Sequence, residues 1–154
     1  MLATADQTFG ELAAWQGMLE RHGELFADMQ PGSRIGIVSR EASGILPGKR
    51  LEGVQTSAEV PMLAWQVEDE GMRARIERFA GMSSSRLDLL LVSDSDALSA
   101  LRAQLDGDAL TVLKRMIRRG NTMFFVFRTK AELQDAGYED FLDSLGLAFL
   151  GACR

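Results

Sequence analysis

Histidine and cysteine, which supply most metal sites and nucleophile–base pairs, are almost missing from this chain: there is one of each, His22 and Cys153. A zinc site is hard to assemble from one nitrogen and one sulfur ligand. A histidine-based triad would depend on His22, which sits in an apolar stripe where a structural role is the simpler reading. Cys153 has no partner for an intramolecular disulfide, which fits a reducing compartment. Long apolar runs are missing too, the longest falling far short of the ~20 residues that cross a bilayer. The N-terminus lacks the basic region and apolar core of a secretory signal, so no signal peptide is expected and the chain reads as cytoplasmic.

Phosphate loops are also wanting. Gly44 to Lys49 resembles a Walker A loop only superficially, with three residues between its glycines instead of four and Arg50 where Ser or Thr is required. Gly53 disfavours a helix starting at Lys49, so no helix N-terminus would face a phosphate. A Gly-x-Gly-x-x-Gly pattern follows none of the expected strands. No cofactor is therefore expected.

What is present is the composition of an ordinary globular protein, 46% hydrophobic and 25% charged over 154 residues. A single domain with a substantial core is expected. The net charge of -5 argues against a general polyanion-binding surface. The basic run Lys114 to Arg119 could touch phosphates, but the end of a helix favours cations whatever the function, so nucleic acid is disfavoured as a partner.

Leu87 to Arg128 organises the rest. Leu87 to Val92 is an apolar run broken only by Asp88, and Ser93 to Asp96 is a cluster of helix-capping residues. Two helical patterns follow, carried by Leu98, Leu101 and Leu105 and then by Leu110, Leu113 and Ile117. Thr122 to Phe127 is a second short run rich in aromatic and β-branched residues. Upstream, Thr8 and Glu11 match a capping box, and Leu12, Trp15, Leu19, His22, Phe26 and Met29 form one helical face. Strands are expected at Arg34 to Ser39 and Met62 to Val67, with a helix opening at Asp69 whose Met72, Ile76 and Phe79 share a face. Arg40 to Glu59 lacks periodicity and is expected to be a hairpin or a mobile loop. Thr129 and Glu132 repeat the capping box, and Leu147 to Leu150 suggests a last strand.

Apolar strands alternating with helices predict an α/β three-layer sandwich, with a mainly parallel sheet of about five strands flanked by helices. Leu87 to Leu150 resembles the late units of methyltransferase-type Rossmann sheets. It equally resembles degenerate RecA-type domains, such as the cell-division inhibitors of the SOS response. The likeness lies in pattern, because the glycine-rich loop of the first family and the nucleotide loop of the second are both missing, and neither activity carries over.

In an open parallel sheet, ligands bind outside the carboxyl ends of the strands. That rim would gather Arg40, Asp94, Asp96 and Arg128, the candidate ligand- or partner-binding residues. Asp94 and Asp96 are equally suited to capping a helix. No catalytic residue or metal ligand is assigned. The expected function is a non-enzymatic regulatory or protein-interaction module of a bacterial-type cytoplasmic protein, partnered by another protein or by a second copy of itself. The alternative is a small-molecule or nucleotide-binding enzyme working at the ends of the parallel strands.

Overall fold

The computed structural model describes residues 8–44, 60–79 and 86–147. Within them the elements run α1 (Leu12–Arg21), α2 (Gly23–Phe26), β1 (Arg34–Ser39), α3 (Arg40–Ser43), β2 (Pro61–Glu68) and β3 (Gly71–Arg78). They continue with β4 (Leu89–Ser93), α4 (Ser95–Ala103), α5 (Ala109–Arg119), β5 (Thr122–Val126), α6 (Lys130–Asp135) and α7 (Glu139–Ser144). The strands form one five-stranded sheet in the order β3-β2-β1-β4-β5. Among the described residues no helix is long and apolar enough to cross a membrane.

The expectation of a mainly parallel sheet is overturned, and with it the Rossmann-like and RecA-like readings. Only β1 and β4 run parallel; β1–β2, β2–β3 and β4–β5 are all antiparallel. Two local causes account for the β2–β3 and β4–β5 pairings. The stretch after Asp69 is a strand, not a helix, because Asp69-Glu70 makes a two-residue hairpin turn closed by the Glu68–Gly71 pair. Gly71 takes φ +117 there, a conformation open to glycine. Met72 and Ala74 point inward and Arg73 and Arg75 outward, a period of two that the 4-and-3 spacing of Met72, Ile76 and Phe79 disguised. The second cause is the pair of helices between β4 and β5. One crossover helix returns the chain to the start of the sheet; two leave it at the end where β4 finished, so β5 must run back. Asp94 N–H bonded to the Asn121 carbonyl at 3.0 Å marks that meeting point.

The long N-terminal helix also divides. Glu11, not Thr8, is the N-cap of α1 and makes no side-chain cap, so the Thr8–Glu11 box does not form, and the helix breaks at His22 before α2. The Thr129–Glu132 capping box does form. Of the irregular segment, Arg40–Ser43 is helical; residues 45–59 lie outside the described residues, as do 148–150 of the expected last strand.

The sheet buries both faces. On one, Ile35, Ile37, Leu63, Leu89 and Leu91 pack under the helices, with Trp15, Phe26, Trp65 and Phe141 meeting at ring centroids 5.5–6.3 Å apart. On the other, Val38, Met62, Ala64, Leu90 and Val92 are wholly buried, and α3 contributes Ala42. Gly36 sits where a Cβ would come within 2.8 Å of Leu87 and Met62 side chains, the close approach expected of a strand glycine.

Candidate interaction surface

The end of the parallel pair is built around helix capping. Asp94 follows β4 directly: one carboxylate oxygen accepts from the Ala97 N–H at 2.8 Å and the other from the Asn121 side-chain amide at 2.8 Å. Beside it Glu41 accepts from the Ser95 N–H and from the Ser39 hydroxyl, both at 3.3 Å. Two carboxylates of the chain itself thus occupy the N-terminus of α4, the place where an anionic ligand would gain most from the helix dipole. The small crevice there, about 240 Å³, also holds Ser99 and Arg102, and Arg102 is already spent on the Thr8 carbonyl and the Ser99 hydroxyl. Arg40 reaches the Gly120 carbonyl at 3.4 Å, and Asp96 is exposed in the first turn of α4.

Arg128 is not at this end. Because β5 runs antiparallel to β4, with Ser93 opposite Thr122 and Leu89 opposite Val126, the residues after Val126 fall beside Asp88. The sheet therefore brings Arg40, Asp94 and Asp96 together and leaves Arg128 at its opposite end, so the four do not share a rim. There the Arg128 Nε pairs with Asp88 at 2.9 Å. The second oxygen of Asp88 accepts from the Tyr138 hydroxyl at 2.6 Å and from the Arg34 N–H at 3.0 Å. Burial first, and then the Asp88 carboxylate, hold the Tyr138 phenol well above its ordinary pKa, so it stays a neutral donor. Arg34 completes the knot by gripping Glu77 through two bonds of 2.7 and 3.1 Å, which lower the Glu77 pKa. This cluster ties β1, β3, β4 and α7 to the chain after β5, an anchoring role that needs no ligand.

The two edges of the sheet are treated very differently. In an antiparallel ladder, residues alternate between bonding their partner strand and facing away from it. Phe79 N–H bonds the Val60 carbonyl, so Met72, Ala74 and Ile76 turn their backbone groups outward from β3. The Gln16 side chain of α1 lies across that edge, accepting from the Ala74 N–H at 2.8 Å and donating to the Met72 carbonyl at 3.1 Å. Arg73, Arg75, Glu77 and Arg78 add charge along it.

Among the described residues β5 has none of this protection. Phe127 N–H bonds the Asp88 carbonyl and Asp94 N–H the Asn121 carbonyl, so by the same alternation Thr122, Phe124 and Val126 turn their backbone groups to the open side. Among the described residues nothing bonds them there. The strand, Thr-Met-Phe-Phe-Val, carries no charge, proline or glycine. Its Met123, Phe124 and Phe125 are half-buried and Val126 is 41% exposed, although every residue of β4 is buried. Immediately before it, Arg115, Arg118 and Arg119 are exposed on the last turns of α5 and line a cleft of about 370 Å³. Among the described residues no carboxylate pairs with any of the three.

Sequence reading found β5 but mistook it for a buried parallel strand. The signal that could have exposed its direction was the even number of helices before it, which returns the chain to the end where β4 finished and makes β5 antiparallel. Among the described residues no three His, Cys, Asp or Glu side chains gather as a metal site would need.

No protein-family model matches the sequence, and no curated protein does. Among solved structures the chain is similar to the solution structure of a conserved hypothetical protein from Thermus thermophilus, described as possibly a sterol carrier protein. The two are 13% identical, the match covers 99% of this chain and 94% of that one, and the TM-score is 0.45. At that distance the likeness assigns neither a function nor a ligand to this chain.

Proposed function

We propose that this protein is a non-enzymatic protein-interaction module whose working surface is the outer edge of β5, and that it binds an extended segment of a partner as a sixth strand. The observation that carries the reading is the uncharged Thr122–Val126 strand, buried at Thr122, half-buried from Met123 to Phe125 and exposed at Val126, whose outward backbone groups have no partner among the described residues. Such an edge is a template for another strand, and soluble proteins ordinarily blunt it. The alternative, a small-molecule enzyme at the ends of the parallel strands, has less support, because Glu41 and Asp94 fill the helix N-terminus and Arg128 lies at the far end of the sheet.

The test is an amide-shift titration of labelled protein with an uncharged peptide of alternating valine and threonine. Shifts are expected to concentrate at Thr122, Phe124 and Val126. Val126→Pro removes one outward N–H without touching the ladder to β4 and is expected to abolish them while the fold persists. Shifts centred on Ser39, Asp94 and Ser95, or none anywhere at millimolar peptide, would overturn the reading.

A further inference from the structure

The arginines beside the open edge deepen this reading, on which the following inference rests. Chain connectivity holds Arg119 within about 11 Å of Thr122, since three residues span no more than that. The start of β5 therefore carries a positive cluster, Arg115, Arg118 and Arg119, with no ion-pair partner among the described residues, in a chain whose net charge is -5. The other end of β5 is balanced, because Arg128 is already paired with Asp88. A helix C-terminus welcomes cations, but its dipole is satisfied within the last turn and does not require three guanidinium groups lining one cleft. An uncharged strand with one strongly positive end selects for a ligand with the complementary layout.

We infer that the partner segment is an extended, uncharged strand of a different protein with carboxylates clustered at the end that lies beside the start of β5. A second copy of this chain does not meet that description. If two β5 strands paired antiparallel, the arginine cluster of each would face the end of the other where Arg128 is already neutralised by Asp88. If they paired parallel, the two clusters would face each other. The parallel arrangement sets cation against cation, the antiparallel one leaves each cluster opposite a balanced end, and β5 itself offers no carboxylate in either. Guanidinium groups suit carboxylates in particular, because their planar donors match both oxygens at once.

The experiment compares three synthetic peptides on the full-length protein: the uncharged valine–threonine strand, the same strand with two glutamates at its N-terminus, and the same strand with two glutamates at its C-terminus. One glutamate placement is expected to bind roughly five- to tenfold tighter than the uncharged peptide at low ionic strength, with the gain shrinking below about twofold in ~0.5 M salt. The triple variant Arg115→Gln, Arg118→Gln, Arg119→Gln is expected to bind the uncharged peptide unchanged and to lose the gain. If all three peptides bind β5 equally, strand addition stands and the acidic partner is ruled out. Retention of the gain in the triple variant rules out the arginine cluster as its source. If no peptide shifts the β5 amides, strand addition itself fails, and the inference with it. A concentration-dependent dimer whose formation shifts Thr122, Phe124 and Val126 would replace the acidic partner with a second copy.

Discussion

One sheet has two edges here, and they are finished in opposite ways. β3 is partly covered by a single side chain: Gln16 accepts from the Ala74 amide and donates to the Met72 carbonyl, and charged residues alternate along the strand. β5 has an uncharged aromatic strand, outward backbone groups without partners among the described residues, and a positive cluster at one end. The same chain thus contains the means of protecting an edge and, among the described residues, uses it on one edge alone. Fold stability gives no reason for that difference, since an exposed apolar edge invites unwanted pairing. The proposed strand addition does give one.

The comparison can be broken or sharpened by mutation. The largest effect belongs in the centre of the sheet, which both edges depend on. Leu90 is fully buried on β4, so Leu90→Ala is expected to cost ~2–5 kcal/mol in denaturant unfolding. A loss under ~1 kcal/mol would mean that the central strand is not packed as described.

Next comes the anchor at the far end of β5. Tyr138→Phe removes the donor to the Asp88 carboxylate and is expected to cost ~1.5–3 kcal/mol, as hydrogen bonds to charged groups do. An unchanged melting midpoint would show that Asp88 is held by Arg34 and Arg128 alone.

The direct counterpart of the open edge is Gln16→Ala. It uncovers the Ala74 N–H and the Met72 carbonyl, which water can partly satisfy, so about 1 kcal/mol of stability is expected to go. Its more telling consequence is a second open edge, read as concentration-dependent association in sedimentation. Wild-type behaviour at high concentration would indicate that the charges of β3 suffice without Gln16.

The smallest effect is on the acid side. Arg34 lowers the Glu77 pKa, so this pair stabilises the fold above the ordinary carboxylate value of 4.5 and the contribution fades as pH falls through the lowered value. Glu77→Gln is expected to flatten the pH dependence of stability below about 4.5 and to lower neutral-pH stability by the same modest amount, under about 1 kcal/mol because the pair is partly exposed. An unaltered acid profile would remove Glu77 from the account.

Much of this architecture was legible in the residues. β1, β2, β4 and β5 are apolar runs, and α4 and α5 carry clear helical stripes. β3 was hidden because Met72 and Ile76 fit periods of both two and near four, and only the short Asp69-Glu70 turn decides between them. Strand direction was hidden for a different reason. Apolar content reports burial, whereas direction depends on how many elements intervene, and reversing β5 moves Arg128 to the other end of the sheet. Asp94 was legible as a cap, and a cap is what its carboxylate makes. The β5 edge was legible only as a strand, since an edge is a property of the assembled sheet.

Amide hydrogen exchange of the free protein, resolved residue by residue, tests the asymmetry most directly. The Phe124 and Val126 amides are predicted to exchange at least about a hundredfold faster than those of Met123 and Phe125, which bond β4, while Ala74 on the opposite edge stays protected by Gln16. Protection of Phe124 and Val126 equal to that of Met123 and Phe125 would mean that the β5 edge is already covered, and would contradict the account.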